Sequence, residues 1–404
     1  MSTRSMFRAA IAIAIAAWLA GCGSGGGGST SNSPTSSALT GSVLYSFGTT
    51  GSTDGRYPNA GLIQGSDGNF YGTTPNGGTG SMGTVFRVTP AGVEAVLYSF
   101  GPPSGKDAVN PFAALVQAND GNFYGVTVGG GANNTGTVFR VSTAGIESVL
   151  YSFGLASGSD GQAPTGSLIQ ASDGNLYGVT AAGGSNGTGT VFRITLAGQE
   201  SVLYSFGPTS SSDARAPGTA LVQAADGNLY GVTYSGGASN GGTVFRMTLA
   251  GQESVLYSFG PPSGPDGNGP SSRLFQGSDG QLYGTTGGGG ANQSGTIFKV
   301  STAGAESVLY SFPTAGSTNP WHPIGLIQAA DGRLFATTDS GGANFAGAVL
   351  ALSPSGTQSV YSFGASASDG VIPRDSVIQG SDHHFYGTTS IGGANQTGTV
   401  FRID

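Results

Sequence analysis

The chain has 404 residues, of which 75 are glycine and only 9% are charged, and its formal net charge is −7 at pH 7. This glycine content, together with the lack of an apolar helical period after the first 22 positions, excludes a helical protein. An acidic chain without a basic block also argues against nucleic acid as a partner.

The first 22 residues have the organisation of a bacterial signal peptide. Arg4 and Arg8 precede an uncharged apolar run at 9–19, which is too short to span a bilayer as a helix but suits a signal h-region. The run ends in LAGC, which resembles the lipobox, and Cys22 is the only cysteine of the chain. The resemblance implies that residues 1–22 are a lipoprotein signal peptide and that Cys22 is lipidated, with ordinary secretion as the alternative.

Residues 23–42 are mostly Gly, Ser and Thr, which predicts a flexible tether. Ser24, close behind the lipidation site, is not an inner-membrane retention signal. We therefore expect a monomer held at the cell envelope by its lipid anchor, at the outer membrane, on its periplasmic or its surface side.

Three motifs recur along residues 43–404 at a nearly constant spacing. YSF begins at Tyr45, Tyr98, Tyr151, Tyr204, Tyr257, Tyr310 and Tyr361, in steps of 53 residues with a last step of 51. Motifs resembling SDGNFYGTT and GTVFR accompany each copy. A period near 50 residues indicates a repeat architecture with seven units.

One repeat can be divided into four strands. In the third copy the segments 167–170, 176–180, 190–194 and 200–206 have strand composition, and the Asp-Gly at Asp173 suits a type I′ hairpin turn. Four antiparallel strands repeated seven times predict an all-β fold, a seven-bladed β-propeller. An open β-solenoid is the alternative, although its rungs are shorter.

The ends of the repeat region complement each other. Residues 43–47 correspond to a fourth strand, whereas residues 399–403 correspond to a third strand. The last blade therefore lacks the strand that the N-terminus carries, and we expect this N-terminal strand to close the ring.

The third and fourth strands carry matching charges. A four-residue turn would place Arg87 opposite Glu94, and the same spacing recurs in four further copies. The sixth copy has Ala351 and Gln358 instead, so both charges are lost together. This pattern predicts cross-strand ion pairs.

The motifs SDGNFYGTT, GGANNTGTVFR and VLYSF, in tandem over residues 43–404, resemble the GloVer tandem repeat of bacterial surface proteins. The resemblance implies an anchored, extracytoplasmic repeat protein of the propeller type, and it implies no catalytic residues. DGNLYG is also similar to hairpins of other bacterial propellers, including periplasmic domains of sensor kinases and streptogramin lyases. The catalytic histidine pattern of those lyases does not occur here.

An aspartate precedes a linker proline by four residues in six of the seven copies. A ring of such carboxylates could collect calcium, but an Asx-turn explains them equally, because Asn319 replaces the aspartate in the sixth copy. The three histidines are divided between opposite faces, and no cysteine remains after lipidation. We therefore predict no metal site and no cofactor.

Strand parity places two loops of each repeat on one face, which we call the working face: the loop between the second and third strands and the linker between the fourth and first strands. Residues on this face that depart from the repeat are Arg56, Tyr57, Lys106, Phe112, Arg215, Tyr234, Arg273, Trp321, His322, Phe345 and Arg374. The candidate binding residues among them are Trp321, His322, Arg56, Tyr57, Arg215, Tyr234 and Arg374. Aromatic rings and guanidinium groups suit sugar or acidic-glycan binding, although they could also be scattered loop residues.

These features predict a binding or interaction scaffold at the cell envelope that recognises glycans or envelope proteins. A carbohydrate-active enzyme, such as a polysaccharide lyase or glycosidase, is the alternative, and a structural role in envelope assembly is a third possibility. Propellers host all three functions. An enzyme should show a cluster of non-repeated Asp, Glu, His, Tyr or Arg facing the central channel.

Overall fold

The computed structural model describes residues 39–101, 107–154, 158–208, 213–261, 264–316, 318–353 and 358–404. The signal peptide, Cys22 and residues 23–38 of the tether lie outside the described residues, so the cleavage, lipidation and tether boundaries stay predictions. Regular structure in the described ranges consists of β-strands and one short 3₁₀ turn at Gly51–Thr53. Over these ranges no helix has the length and apolar character needed to cross a membrane.

The described chain forms seven antiparallel blades, which confirms the predicted propeller. The second strands, in blade order, are Phe70–Thr74 with Asn76–Gly77, Phe123–Thr127 with Gly129–Gly130, Leu176–Gly183, Leu229–Gly236, Leu282–Gly289, Leu334–Ser340 and Phe385–Gly392. The third strands are Thr84–Val88, Thr137–Val141, Thr190–Ile194, Thr243–Met247, Thr296–Val300, Ala348–Leu352 and Thr399–Ile403. The fourth strands of blades one to six are Glu94–Ser99, Glu147–Ser152, Glu200–Ser205, Glu253–Ser258, Glu306–Ser311 and Gln358–Ser362.

The first strand of each blade is innermost, and in six blades it is interrupted. The segments that come first in the chain are Gly55–Arg56, Ala108–Val109, Gly161–Pro164, Ala214–Pro217, Gly267–Pro270 and Gly370–Pro373. The segments that follow them are Ile63–Gln64, Val116–Gln117, Ile169–Gln170, Val222–Gln223, Phe275–Gln276 and Ile378–Gln379. Blade six departs from this pattern with one continuous first strand, Trp321–Gln328.

The N-terminal strand closes the ring, as predicted. Gly41–Ser46 pairs antiparallel with Thr399–Ile403, so that Gly41 lies opposite Ile403 and Ser46 lies opposite Thr399. The fourth strand of blade seven therefore comes from the other end of the repeat region, and no unpaired strand edge remains on that blade's third strand.

The core lies largely between neighbouring blades. Phe100 of blade one meets Phe139 of blade two edge-to-face, with ring centroids 5.1 Å apart, and Tyr71 lies against Phe123 at 4.1 Å. These aromatic side chains are almost completely buried. Because each buried ring contributes about 1.5–3 kcal/mol, the repeated YSF, FYG and VFR motifs encode the packing of one blade on the next.

The residue before each linker proline connects its blade to the preceding one. These residues are Tyr57, Asn110, Ala163, Ala216, Gly269, His322 and Ile372, with φ between 52° and 59°. Their backbone N–H groups donate to a loop carbonyl of the preceding blade, as His322 does to Ser294 at 3.0 Å. A non-glycine residue in this left-handed region costs about 1 kcal/mol. The strained backbone thus presents a side chain at the same place in six blades, whereas blade five has Gly269 there.

The predicted Arg–Glu cross-strand pairs are wrong. Glu94 lies opposite Val88, and Arg87 lies opposite Ala95. The hairpin between the strands has five residues, 89–93, rather than four, and the one-residue shift puts the two charges on opposite faces of the sheet.

The glutamate instead reaches across the seam between two blades. Tyr98 donates its hydroxyl hydrogen bond to Asp107 at 3.1 Å, and Glu147 of the next blade interacts with both. Burial, assisted by the charge of Asp107, raises the pKa of Glu147 to about 7. The glutamates with this environment are Glu94, Glu147, Glu200, Glu253 and Glu306.

In blade six a second acidic residue is lost together with the glutamate. Both acids of this seam become amides there, since Asn319 replaces the aspartate and Gln358 replaces the glutamate. Tyr310 donates to the Gln358 amide oxygen at 3.4 Å. The loss of the glutamate therefore accompanies the loss of the linker aspartate in the interblade triad of Glu, Tyr and Asp, and the structure gives no reason for Ala351.

The linker aspartates bind backbone N–H groups, in agreement with a turn role. Asp107 accepts hydrogen bonds from the N–H groups of Gly101 at 2.6 Å and Ala108 at 2.8 Å, in addition to the Tyr98 hydroxyl. Both carboxylate oxygens are therefore used in fastening the linker.

Candidate functional site

The central channel is lined by the residues that directly follow the linker prolines. Its cavity, of about 460 Å³, receives side chains from all seven blades. These residues are Asn59 in blade one, Phe112 and Ala113 in blade two, Thr165, Gly166 and Ser167 in blade three, Gly218, Thr219 and Ala220 in blade four, Ser271 and Arg273 in blade five, Ile324 in blade six, and Arg374 and Asp375 in blade seven. No two blades contribute the same set, although the flanking motifs repeat.

A bulge in the first strand explains why these residues line the channel. In blade three, Pro164 lies opposite Thr180 and Ile169 lies opposite Tyr177. Five residues of advance along the first strand thus correspond to three along the second. The two extra residues bulge out of the ladder of backbone hydrogen bonds. Because the first strand is innermost, residues 165–167 line the channel.

The charged groups of the channel lie on one side of the ring, in blades five and seven. Asp375 accepts hydrogen bonds from the N–H groups of Gly61 at 2.9 Å and Ser376 at 2.6 Å. Arg374 donates from Nε to the Ser390 hydroxyl at 3.2 Å. Arg273 is half-buried and makes no hydrogen bond or ion pair with the residues that the structure describes. Its guanidinium group therefore remains available to a ligand.

A second cavity, of about 560 Å³, lies beside the channel and involves blades four to six. It shares Gly218, Thr219 and Ser271 with the channel lining, so the two cavities join. Tyr234, which is 68% exposed, and His322 also line it.

Glycines keep this second cavity open. A Cβ atom on Gly269 would lie 3.2 Å from the Tyr234 ring, and one on Gly287 would lie 3.1 Å from His322 Nε2. The position of Gly287 in the repeat is occupied by Tyr234 in blade four and by Asp339 in blade six. The absence of a side chain in blade five therefore leaves room between these two.

His322 and Asp339 form a hydrogen-bonded pair at this cavity. His322 Nδ1 lies 2.8 Å from Asp339 Oδ1, and the Ser340 hydroxyl donates to the same oxygen at 2.8 Å. The hydrogen bond to Asp339 raises the pKa of His322 despite the opposing effect of burial. Burial would raise the pKa of Asp339, but the hydrogen bond and charge of His322 outweigh it and lower that pKa. Nε2 remains directed toward Gly287 and the cavity.

The structure brings some of the predicted binding residues together and separates others. Tyr234 and His322 line one cavity, and the guanidinium of Arg374, in the adjoining channel, interacts electrostatically with Asp339. Trp321, next to His322 in the chain, packs against the core between blades five and six, and its indole N–H is buried without a hydrogen-bond partner in the described structure.

The other three predicted binding residues lie elsewhere on the working face. Arg56 donates to the carbonyl oxygen of Gly51 at 3.4 Å, and its neighbour Tyr57 is 42% exposed. Arg215 donates to the Asn240 side chain in a separate, smaller cavity. These residues do not line the channel or the cavity beside His322.

Sequence reasoning did not single out the tripeptides after the linker prolines, although their variability was a usable signal. Asp375 and Ser390 were missed because they look like ordinary loop residues. Among the described residues no group of three His, Cys, Asp or Glu side chains could hold a metal ion.

Comparison with known proteins gives a family and a fold. The model of the Gloeobacter/Verrucomicrobia repeat matches residues 19–168 and 148–321. No curated protein matches. A structure of streptogramin B lyase aligns with a TM-score of 0.59 at 14% identity, covering 91% of this chain and 98% of that one. The extracellular domain of a proposed one-component system from B. thetaiotaomicron aligns with a TM-score of 0.54 at 13% identity, covering 88% of this chain and 41% of that one. At these identities the two structures support the propeller fold alone.

Proposed function

Because the chain belongs to the Gloeobacter/Verrucomicrobia repeat family and folds as a seven-bladed propeller, we propose that it is a binding protein of the cell envelope. Its ligand is an acidic glycan that enters the channel mouth on the working face. The single observation that carries this proposal is the one-sided grouping of Arg273, Arg374 and Tyr234 around the two joined cavities, where Asp375 is already held by backbone N–H groups.

The chemistry of this grouping suits an acidic sugar. A guanidinium group binds a carboxylate through two parallel hydrogen bonds, and Arg273 has its donors free of described partners. The exposed face of Tyr234 offers a stacking surface for a sugar ring. The side chains on blades one to three of the channel are uncharged, and the cations lie on the opposite side; the uncharged side chains are Asn59, Phe112, Ala113, Val128, Thr165 and Ser167.

Arg273 provides the sharpest test of binding. Polygalacturonate, alginate and neutral dextran should be titrated against the wild type and Arg273→Ala by calorimetry. We expect binding of an acidic polymer and a loss of about tenfold or more in Arg273→Ala, since hydrogen bonds to charged groups contribute about 1.5–3 kcal/mol. Arg333→Ala is the matched control, because Arg333 pairs with Asp331 in a hairpin turn on the opposite face. Equal affinity for dextran, or equal losses in both variants, would contradict the proposal.

The location at the envelope rests on the predicted lipid anchor. In a bacterial host, labelled palmitate should be incorporated into the wild type and lost in Cys22→Ser, since Cys22 is the only cysteine to which the lipid could be attached. Labelling that persists in Cys22→Ser would show that the anchor prediction is wrong.

A further inference from the structure

Blade six combines two substitutions at the cavity that no other blade combines. The residue before the linker proline is His322, and the residue after the ATT segment is Asp339. The same two positions hold Ala163 and Ala181 in blade three. A chance substitution at one of the two positions would not produce a hydrogen-bonded pair, whereas the side chains of His322 and Asp339 are joined by a hydrogen bond of 2.8 Å.

The pair has the geometry of an oriented base. Asp339 accepts from Nδ1, which leaves the lone pair of Nε2 on the side of the cavity. The left-handed backbone at His322 and the rigid proline that follows it fix the direction in which the His322 side chain leaves the backbone. A base that is held by a carboxylate and faces a cavity is the arrangement required for proton transfer.

The surrounding charges favour elimination over glycoside hydrolysis. Hydrolysis of a glycoside by two carboxyl groups needs both of them free to act on the bond. Here Asp339 is bonded to His322 and Ser340, and Asp375 is bonded to backbone N–H groups. Elimination from a uronate instead needs a base and a cation that stabilises the carboxylate as charge develops on it, which His322 and the two arginines can supply.

We propose that His322, positioned by Asp339, abstracts the C5 proton of a hexuronate residue bound at the channel mouth, so that the protein cleaves acidic polysaccharides by β-elimination. The inference rests on the proposed binding of acidic glycans. The C5–H bond breaks, its electron pair forms a C4=C5 double bond, and the C4–O bond breaks. His322 takes the proton and the leaving oxygen receives one from the imidazolium, so the step needs neither water nor an oxidant.

The dependence on pH follows from the groups around His322. Asp339 is bonded to it, Arg374 of blade seven interacts with Asp339, and Tyr234 of blade four lines the same cavity. Asp339 raises the pKa of His322 above its ordinary value of 6.5. Because the neutral imidazole is the base, activity should rise with pH through that raised value.

The test follows the ultraviolet absorbance of the new double bond with polygalacturonate, alginate and hyaluronate as substrates. His322→Asn is the main variant, because Asn110 occupies the same position of blade two with a φ of 56° and asparagine tolerates this conformation. Ala163→Asn makes the same change in blade three and serves as the matched control. We expect double-bond formation by the wild type and Ala163→Asn, and a loss of about 100-fold or more in His322→Asn with retained binding.

Asp339 is a positioning residue, and the pH at which activity rises tests its role separately. Asp339→Asn should move the rise of activity to lower pH, because the group that raises the pKa of His322 is gone. Binding of the acidic polymers without any double bond would overturn the inference and leave the proposed function intact. New reducing ends without absorbance, or unchanged activity in His322→Asn, would also overturn it. Failure to bind any acidic polymer would overturn both.

Discussion

Trp321 and His322 are neighbours in the chain but have different surroundings. The imidazole faces a cavity, whereas the indole contacts the core cluster that includes Phe312, Leu326 and Leu350. The continuous first strand of blade six places Trp321 opposite Ser340 and fixes this orientation. A ligand anchor and a packing residue therefore cannot be distinguished by residue type, and they require different measurements.

We expect Trp321→Ala to lower the free energy of unfolding by about 2–3 kcal/mol, below the full cost of deleting a buried tryptophan, because the ring is only partly buried. Trp321→Phe should restore most of it. Thermal unfolding and glycan titration of the same samples will separate stability from binding. Loss of binding with an unchanged melting temperature would instead support the sequence-based prediction that Trp321 anchors the ligand.

At the scale of elements, the seams between blades depend on particular glycines. Gly189 has a φ of 103°, and a Cβ atom there would lie 2.9 Å from Pro217 of the next blade and closer still to the Thr180 carbonyl oxygen. Gly187, two residues earlier, has a φ of 71° and no atom within 4 Å of a Cβ. The two positions thus share a positive φ and differ in contact with the neighbouring blade.

This pair predicts a graded effect. Gly187→Ala should cost about 1 kcal/mol, which is the penalty of the left-handed backbone alone. Gly189→Ala should cost clearly more, because the seam must open to admit the methyl group. Denaturation of the two variants measures the difference, and equal costs would show that the linker proline does not press on this loop.

The composition of the strands was enough to predict the blades, but it did not predict the register in which neighbouring strands pair. The adjacent apolar residues Val85 and Phe86 give no sign of the register shift between them, where Leu97 is the extra residue on the facing strand. A hairpin of four or five residues fits the same sequence, yet its length decides whether Glu94 faces Arg87 or the preceding blade, where Tyr45 lies. The bulge that directs residues 165–167 to the channel is likewise set by pairing with the second strand, so the composition of the mouth could not be derived from one chain.

At the scale of the whole molecule, five of the seven seams contain a half-buried glutamate whose pKa is raised. Burial and a neighbouring aspartate raise the pKa of Glu200 from 4.5 to about 7, and its equivalents behave alike. Between these values the unfolded chain loses a proton that the folded chain keeps. The free energy of unfolding should therefore fall as pH rises from about 4.5 to 7 and stay low above that.

Replacing all five glutamates by glutamine should remove this loss, because blade six already has Gln358 in this position. We expect the fivefold variant to exceed the wild type in stability at pH 8, by about 1 kcal/mol per site after allowance for partial exposure, and to match it at pH 4. Gln358→Glu is the reciprocal control and should destabilise the protein at pH 8 alone. Its effect should be smaller than that of the other sites, because Asn319 brings no negative charge to that seam. Melting temperatures across this pH range test the prediction, and a wild type that is most stable at pH 8 would contradict it.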